Sequence, residues 1–139
     1  MSMNLPYIDV AVGILVNKEG EILLAERPSG KSFAGWWEFP GGKIEQLETP
    51  LDALARELEE ELGIKIKHNS TVLLGNIEYA YPEFFFKAPV FTCTAWENDP
   101  QPLEGQKLAW VEPRSLVSYQ LLPACKEILL LLSHEVGER

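Results

Sequence analysis

From Tyr7 to Val16 the chain reads YIDVAVGILV, a nearly unbroken run rich in Val and Ile. That run predicts a first β-strand, and Asn17-Lys18-Glu19-Gly20 predicts the turn after it. EILLAER (Glu21 to Arg27) then predicts a second strand, the hairpin partner of the first. Arg27 to Gly35 is loop, and Trp36 to Gly42 is a short strand ending in a Pro-Gly-Gly turn. The clearest element follows. Thr49 is a good N-cap, Pro50 suits the first helical position, and Asp52 lies three residues after the cap. Leu51, Leu54, Ala55, Leu58 and Leu62 recur at helical spacing, and Gly63 supplies the stop.

Further strands are predicted at Ile64 to Lys67, Thr71 to Tyr81, Phe84 to Ala95 and Lys107 to Val111, with a last helix from Pro123 to Val136. Mixed strands with few helices imply an α/β (α+β) fold, a sheet with helices on both faces. No repeat, low-complexity tract or linker interrupts the chain, so one domain spanning residues 1–139 is expected.

Composition changes this picture little. The 139 residues are 46% hydrophobic and 24% charged, as in an ordinary globular domain. Cys93 and Cys125 fit neither a zinc spacing nor a disulfide framework, and the opening MSMNLPYIDV lacks the basic and apolar regions of a secretion signal. The late apolar run Ile128 to Leu132 is too short to span a bilayer. A soluble cytoplasmic protein is expected, with no membrane association; nothing demands more than a monomer, and a dimer stays open.

Charge is more informative. A net charge of −9 argues against binding a nucleic-acid polymer. A free nucleotide remains compatible, because a cation can offset both partners. Seven acids and one arginine fall between Glu45 and Glu61, a net of −6. At about 100° per residue, Glu57, Glu60 and Glu61 share one sector of the helix and Glu59 points elsewhere. Arg56, four residues before Glu60, can brace that carboxylate. A hard divalent cation takes oxygen ligands, often carboxylates plus waters and substrate phosphates. A solvated acidic face is the alternative for any such run taken alone.

The run has context. Gly42, Glu48, Arg56, Glu57, Leu58, Glu60, Glu61, Gly63 and Ile64 match every defining position of the Nudix box, and the stretch Gly42 to Ile64 resembles it throughout. The flanking AERPSGKSFAGWWEFPGGKIE, LEGQKLAWV and LLPA look like the MutT-type branch, so the resemblance covers most of the chain.

It implies a Nudix-like α/β/α sandwich with a mixed sheet between helices. It also implies Mg²⁺ or Mn²⁺ held by Glu57, Glu60, Glu61 and the Gly41 carbonyl, with Arg56 paired to Glu48 to fix the loop against the helix. The activity implied is hydrolysis of a small nucleotide, a nucleoside triphosphate cleaved to monophosphate and pyrophosphate. The general base implied is Glu57 first and Glu104 second, with a surface loop charge as the alternative for Glu104.

The same resemblance places Arg27 and Lys43 near phosphates and Phe39 near the base, against plain surface or core roles for each. Tyr79, Tyr81, Phe84 and Phe86 could stack on a base, although strands commonly alternate aromatics. Trp36 and Trp37 read as packing. Cys125 stands where the branch acting on oxidised guanine presents an Asn to the base. A thiol cannot reproduce an amide's paired donor and acceptor, so 8-oxo-dGTP is a candidate substrate and core filling the alternative for Cys125. Other readings are hydrolysis of ADP-ribose or a dinucleotide, and a catalytically silent nucleotide-binding module.

Overall fold

The computed structural model describes residues 5–137, with side-chain surroundings through Ser133. Nine strands and two helices follow in the order β1 (Tyr7–Leu15), β2 (Ile22–Glu26), β3 (Trp37–Glu38), β4 (Gly41–Lys43), α1 (Pro50–Leu62), β5 (Lys65–Ile66), β6 (Thr71–Ala80), β7 (Phe85–Cys93), β8 (Trp96–Glu97), β9 (Lys107–Val111) and α2 (Pro123–Gly137). Short 3-10 turns cover His68–Ser70 and Pro113–Ser118. The main sheet runs β4-β1-β7-β6 and is mixed, because β1 is parallel to β7 and antiparallel to β4. A second, antiparallel sheet runs β3-β2-β9, and β5 pairs β8.

Alternation along β1 builds a core on each face. Ala11 and Leu15 join Leu54, Leu58 and Leu62 of α1, whereas Val12 and Ile14 join Ala124, Cys125 and Ile128 of α2. A strand covered on both faces must be apolar throughout, which is why β1 carries few polar residues. Gly13 lets α1 lie close: a β-carbon there would come within 3.2 Å of Leu54 Cδ1. The layered α/β/α sandwich is therefore as expected.

Two local expectations fail. β1 and β2 do not form a hairpin, although the turn between them is where it was predicted and Asn17 Oδ1 accepts from the Glu19 and Glu21 N–H groups. Their pairing stops at the single bridge Val16↔Ile22. A strand has only two edges, and β4 and β7 take those of β1 while β3 and β9 take those of β2. Nor do Trp36 to Gly42 make one strand ending in a turn. The chain changes sheets at Phe39-Pro40, and Gly41 and Gly42 themselves pair with β1. Close approach explains the glycine at 41, since a β-carbon there would strike the Ala11 carbonyl oxygen.

α1 forms for the reasons foreseen. Thr49 Oγ1 accepts from the Asp52 N–H at 3.1 Å, and Gly63 at φ 72° donates its N–H to the Glu59 carbonyl at 2.9 Å. Its buried stripe is Ala53, Leu54, Leu58 and Leu62, with Leu51 and Ala55 partly buried beside it.

Candidate active site

One face of α1 is organised by Arg56. Its Nε donates to Glu48 Oε2 at 2.6 Å and its Nη2 to Glu48 Oε1 at 3.0 Å, a two-pronged pair. Nη2 also donates to the Lys43 carbonyl, and Nη1 to Glu57 Oε2 at 2.9 Å and Glu60 Oε1 at 2.8 Å. One cation thus gathers the loop before the helix and two of the box carboxylates. The guanidinium holds the Glu48 carboxyl down at about 2. Neither Arg56 nor Glu48 lines the cavity beside the helix where Glu61 lies.

That cavity encloses about 430 Å³. Gly41, Gly42, Lys43, Glu61 and Glu104 line it together with Arg27, Glu38 and Phe39, and so do Tyr81, Phe84, Phe86 and Cys125. Nearly all the pocket residues named from the sequence are therefore brought together. Of the three box glutamates expected to converge, Glu57 and Glu61 meet: their carboxyl groups lie within hydrogen-bonding distance. Glu57 rests against Gly42, where any β-carbon would overlap its carboxyl carbon. Glu60 is turned onto Arg56 with its side chain half exposed, and Glu59 is exposed.

Burial, reinforced by Glu57, Glu104 and Glu38, pushes the Glu61 carboxyl up to about 9. At neutral pH it keeps a proton unless a cation takes its place. Among the described residues no three His, Cys, Asp or Glu side chains converge to ligate an ion alone. A crowded pair of carboxyls beside the Gly41 backbone nonetheless suits Mg²⁺, which commonly takes one or two carboxylates and completes its shell with water and phosphate oxygens.

The rest of the cavity is aromatic. Tyr81 stacks on Phe84 with centroids 4.8 Å apart, and Phe33 tilts toward Tyr81 at 6.1 Å. Tyr79 packs edge-on against Tyr81 but does not line the space. Trp37 packs against Tyr119 and Trp36 against Phe33, as packing residues would. Phe39 is buried, and Cys125 is buried with its thiol pushed up to about 12 and its sulfur beside the Phe39 backbone. Arg27 is already engaged: Nε donates to the Ser32 carbonyl at 2.7 Å, and Nη1 reaches both Glu38 oxygens at 3.2 and 3.3 Å.

Sequence reasoning missed two residues. Gln106 donates through Nε2 to the Glu61 carbonyl at 3.2 Å and accepts the Glu104 N–H at 2.9 Å, so it pins the Glu104 loop over the end of α1. Its only signal was its place two residues after Glu104. Glu38, in the strand before the box, carried none.

Residues 6–132 match the NUDIX domain. The chain is 38% identical to an 8-oxo-dGTP diphosphatase of Haemophilus influenzae over 133 residues, covering 96% of each protein. It is 36% identical to a CTP pyrophosphohydrolase of Escherichia coli over 119 residues, covering 81% of this chain and 82% of that protein. Among solved structures, the E. coli ORF135 protein superposes with a TM-score of 0.83 at 31% identity, covering 97% and 94% of the two chains. No helix among the described residues is long and apolar enough to cross a membrane. The chain belongs to the Nudix family, as a pyrophosphohydrolase with MutT-like relatives.

Proposed function

We propose that the protein hydrolyses ribo- or deoxynucleoside triphosphates to the monophosphate and pyrophosphate, with Mg²⁺ or Mn²⁺ as cofactor. The observation that carries this reading is a single cavity lined both by crowded acidic groups, Glu61 and Glu104, and by the rings of Tyr81, Phe84 and Phe86. Similarity to an 8-oxo-dGTP diphosphatase and a CTP pyrophosphohydrolase supports a triphosphate, and oxidised ones such as 8-oxo-dGTP belong to the reading.

Glu57, Glu60, Glu61 and the Gly41 carbonyl would hold the cation. Bound there, it lowers the pKa of water and offsets charge on the phosphoryl oxygens. The ring faces of Tyr81 and Phe84 offer the base a stacking surface, and Arg27 and Lys43 supply positive charge toward the phosphates. Glu57 is committed to Arg56 and Glu61, whereas the exposed Glu104 carboxylate has no side-chain partner among the described residues. We therefore assign proton removal from the attacking water to Glu104, ahead of Glu57.

A panel of normal and oxidised nucleoside triphosphates, assayed with Mg²⁺ and with chelator, tests this reading. Metal-dependent release of pyrophosphate from at least one of them is expected. No turnover across the panel, or orthophosphate as the product, would overturn it.

A further inference from the structure

Beside α2, on the face of the main sheet away from α1, lies a groove of about 1100 Å³. Tyr119, Leu129, Val117 and Leu130 are among its apolar walls, and the last two remain 76% and 63% exposed. Among the described residues its charged lining is entirely basic, Arg114 and Lys126. Arg114 meets Glu112 only at 3.5 Å with both side chains largely in solvent, which makes a weak surface pair, and Lys126 is exposed. The chain as a whole carries a net charge of −9. An apolar hollow with a cationic rim on such a chain suits an occupant that is apolar at its tip and acidic around it.

The same chain presents that shape elsewhere. Leu47 is fully exposed, and its φ of 70° is a left-handed conformation that strains any residue with a β-carbon. Glu45 stands two residues away with 69% of its side chain exposed, and opens the stretch to Glu61 that holds seven acids and one arginine. Other exposed apolar side chains fit less well. Lys87 already sits over the Tyr7 ring, and Val72 and Leu73 stand in a stretch, His68 to Ile77, that holds no acid. Phe33 lines the catalytic cavity, and Leu103 adjoins Glu104 there. Pairing the groove with its own copy across a two-fold axis would set Arg114 and Lys126 against the same cations, which repel.

We propose that the groove receives the Leu47 loop of a second copy of this chain, with Leu47 covering Val117 and Leu130 and Glu45 meeting the Arg114 and Lys126 rim. The loop leads into α1 on one face of the sheet, and the groove flanks α2 on the other. The contact is therefore head-to-tail: each pair leaves one loop and one groove open to a further copy, until a ring closes.

Sedimentation velocity of the full chain, from about 5 to about 500 µM in low and high salt, tests this. The wild type is expected to exceed its monomer mass of 15.7 kDa as concentration rises, and to do so less in high salt. Leu47→Asp and Val117→Asp, both at exposed positions, should each weaken association at least about tenfold. Mixed together, the two variants should recover a dimer and nothing larger, because one keeps a sound groove and the other a sound loop. Leu47→Gly, which relieves the positive φ and so keeps the fold, should associate as poorly as Leu47→Asp. A wild type that stays monomeric throughout would overturn the proposal. So would association unchanged in both single variants, or a mixture no heavier than either variant alone.

Discussion

Arg56 and Glu48 form a two-pronged ion pair, 2.6 Å from Nε to Oε2 and 3.0 Å from Nη2 to Oε1, that ties the end of the loop to the middle of α1. Glu48 also accepts the Glu45 N–H at 2.9 Å, closing the turn before the helix. With Arg56 beside it, its carboxyl falls from an ordinary 4.5 to about 2. A depressed carboxyl stabilises the fold fully above its unfolded value and loses that contribution as pH falls through its folded value. The melting-temperature difference between wild type and Glu48→Gln should therefore be constant above about pH 5 and shrink toward zero near pH 2. Melting curves across that range check it; a difference independent of pH would show that the pair contributes nothing.

Glu61 titrates in the opposite sense. Its folded value, about 9, lies above its unfolded value, so the metal-free protein binds an extra proton between those limits and loses stability as pH rises through them. A cation that takes the proton's place should release about one proton per ion at pH 7.5. Calorimetric titration with Mg²⁺ in buffers of different ionisation enthalpy measures this. Glu61→Gln should abolish the release.

Glu60 separates ligation from scaffolding. Its exposed side chain bonds only to Arg56 among the described residues. Glu60→Gln should change stability by less than about 0.5 kcal/mol. If Glu60 joins the cation when substrate binds, turnover should fall at least about tenfold. Unchanged turnover at saturating Mg²⁺ would leave Glu60 a solvated partner of Arg56.

Gly42 is required by contact, since a β-carbon would overlap the Glu57 carboxyl. Gly42→Ala should displace that carboxylate and cut kcat by about a hundredfold, the scale set by misplacing a reacting group by an ångström. The far-ultraviolet dichroism should stay native. Wild-type kcat in this variant would show that the position of Glu57 does not matter.

Much of the frame was legible in the chain. The cap at Thr49, the leucine spacing and the stop at Gly63 are local chemistry, and each reappears as a specific hydrogen bond or a buried side chain. β9 was likewise bounded correctly at Lys107–Val111, because a short run of apolar residues between turn signals is also local. β8 was not foreseen: two residues paired with Lys65 and Ile66 carry no period to read. The supposed β1–β2 hairpin failed for a related reason. Which edge a strand offers to which neighbour depends on all the strands at once.

By itself, the sequence determined the family box, the helix that carries it and the accumulation of negative charge, since these follow from residue type at fixed local spacing. Only the tertiary structure decided how that charge is shared. Folding the Gly41–Lys43 strand against β1 brings Gly42 over Glu57, and Arg56 then draws Glu60 outward while Glu61 stays half-buried. It alone brought Glu38 and Gln106 into the site, through contacts between residues far apart in the chain. Helical spacing predicts direction around an axis. Burial and counter-charge, which set whether a carboxylate holds a proton, an arginine or a cation, come from what other segments place beside it.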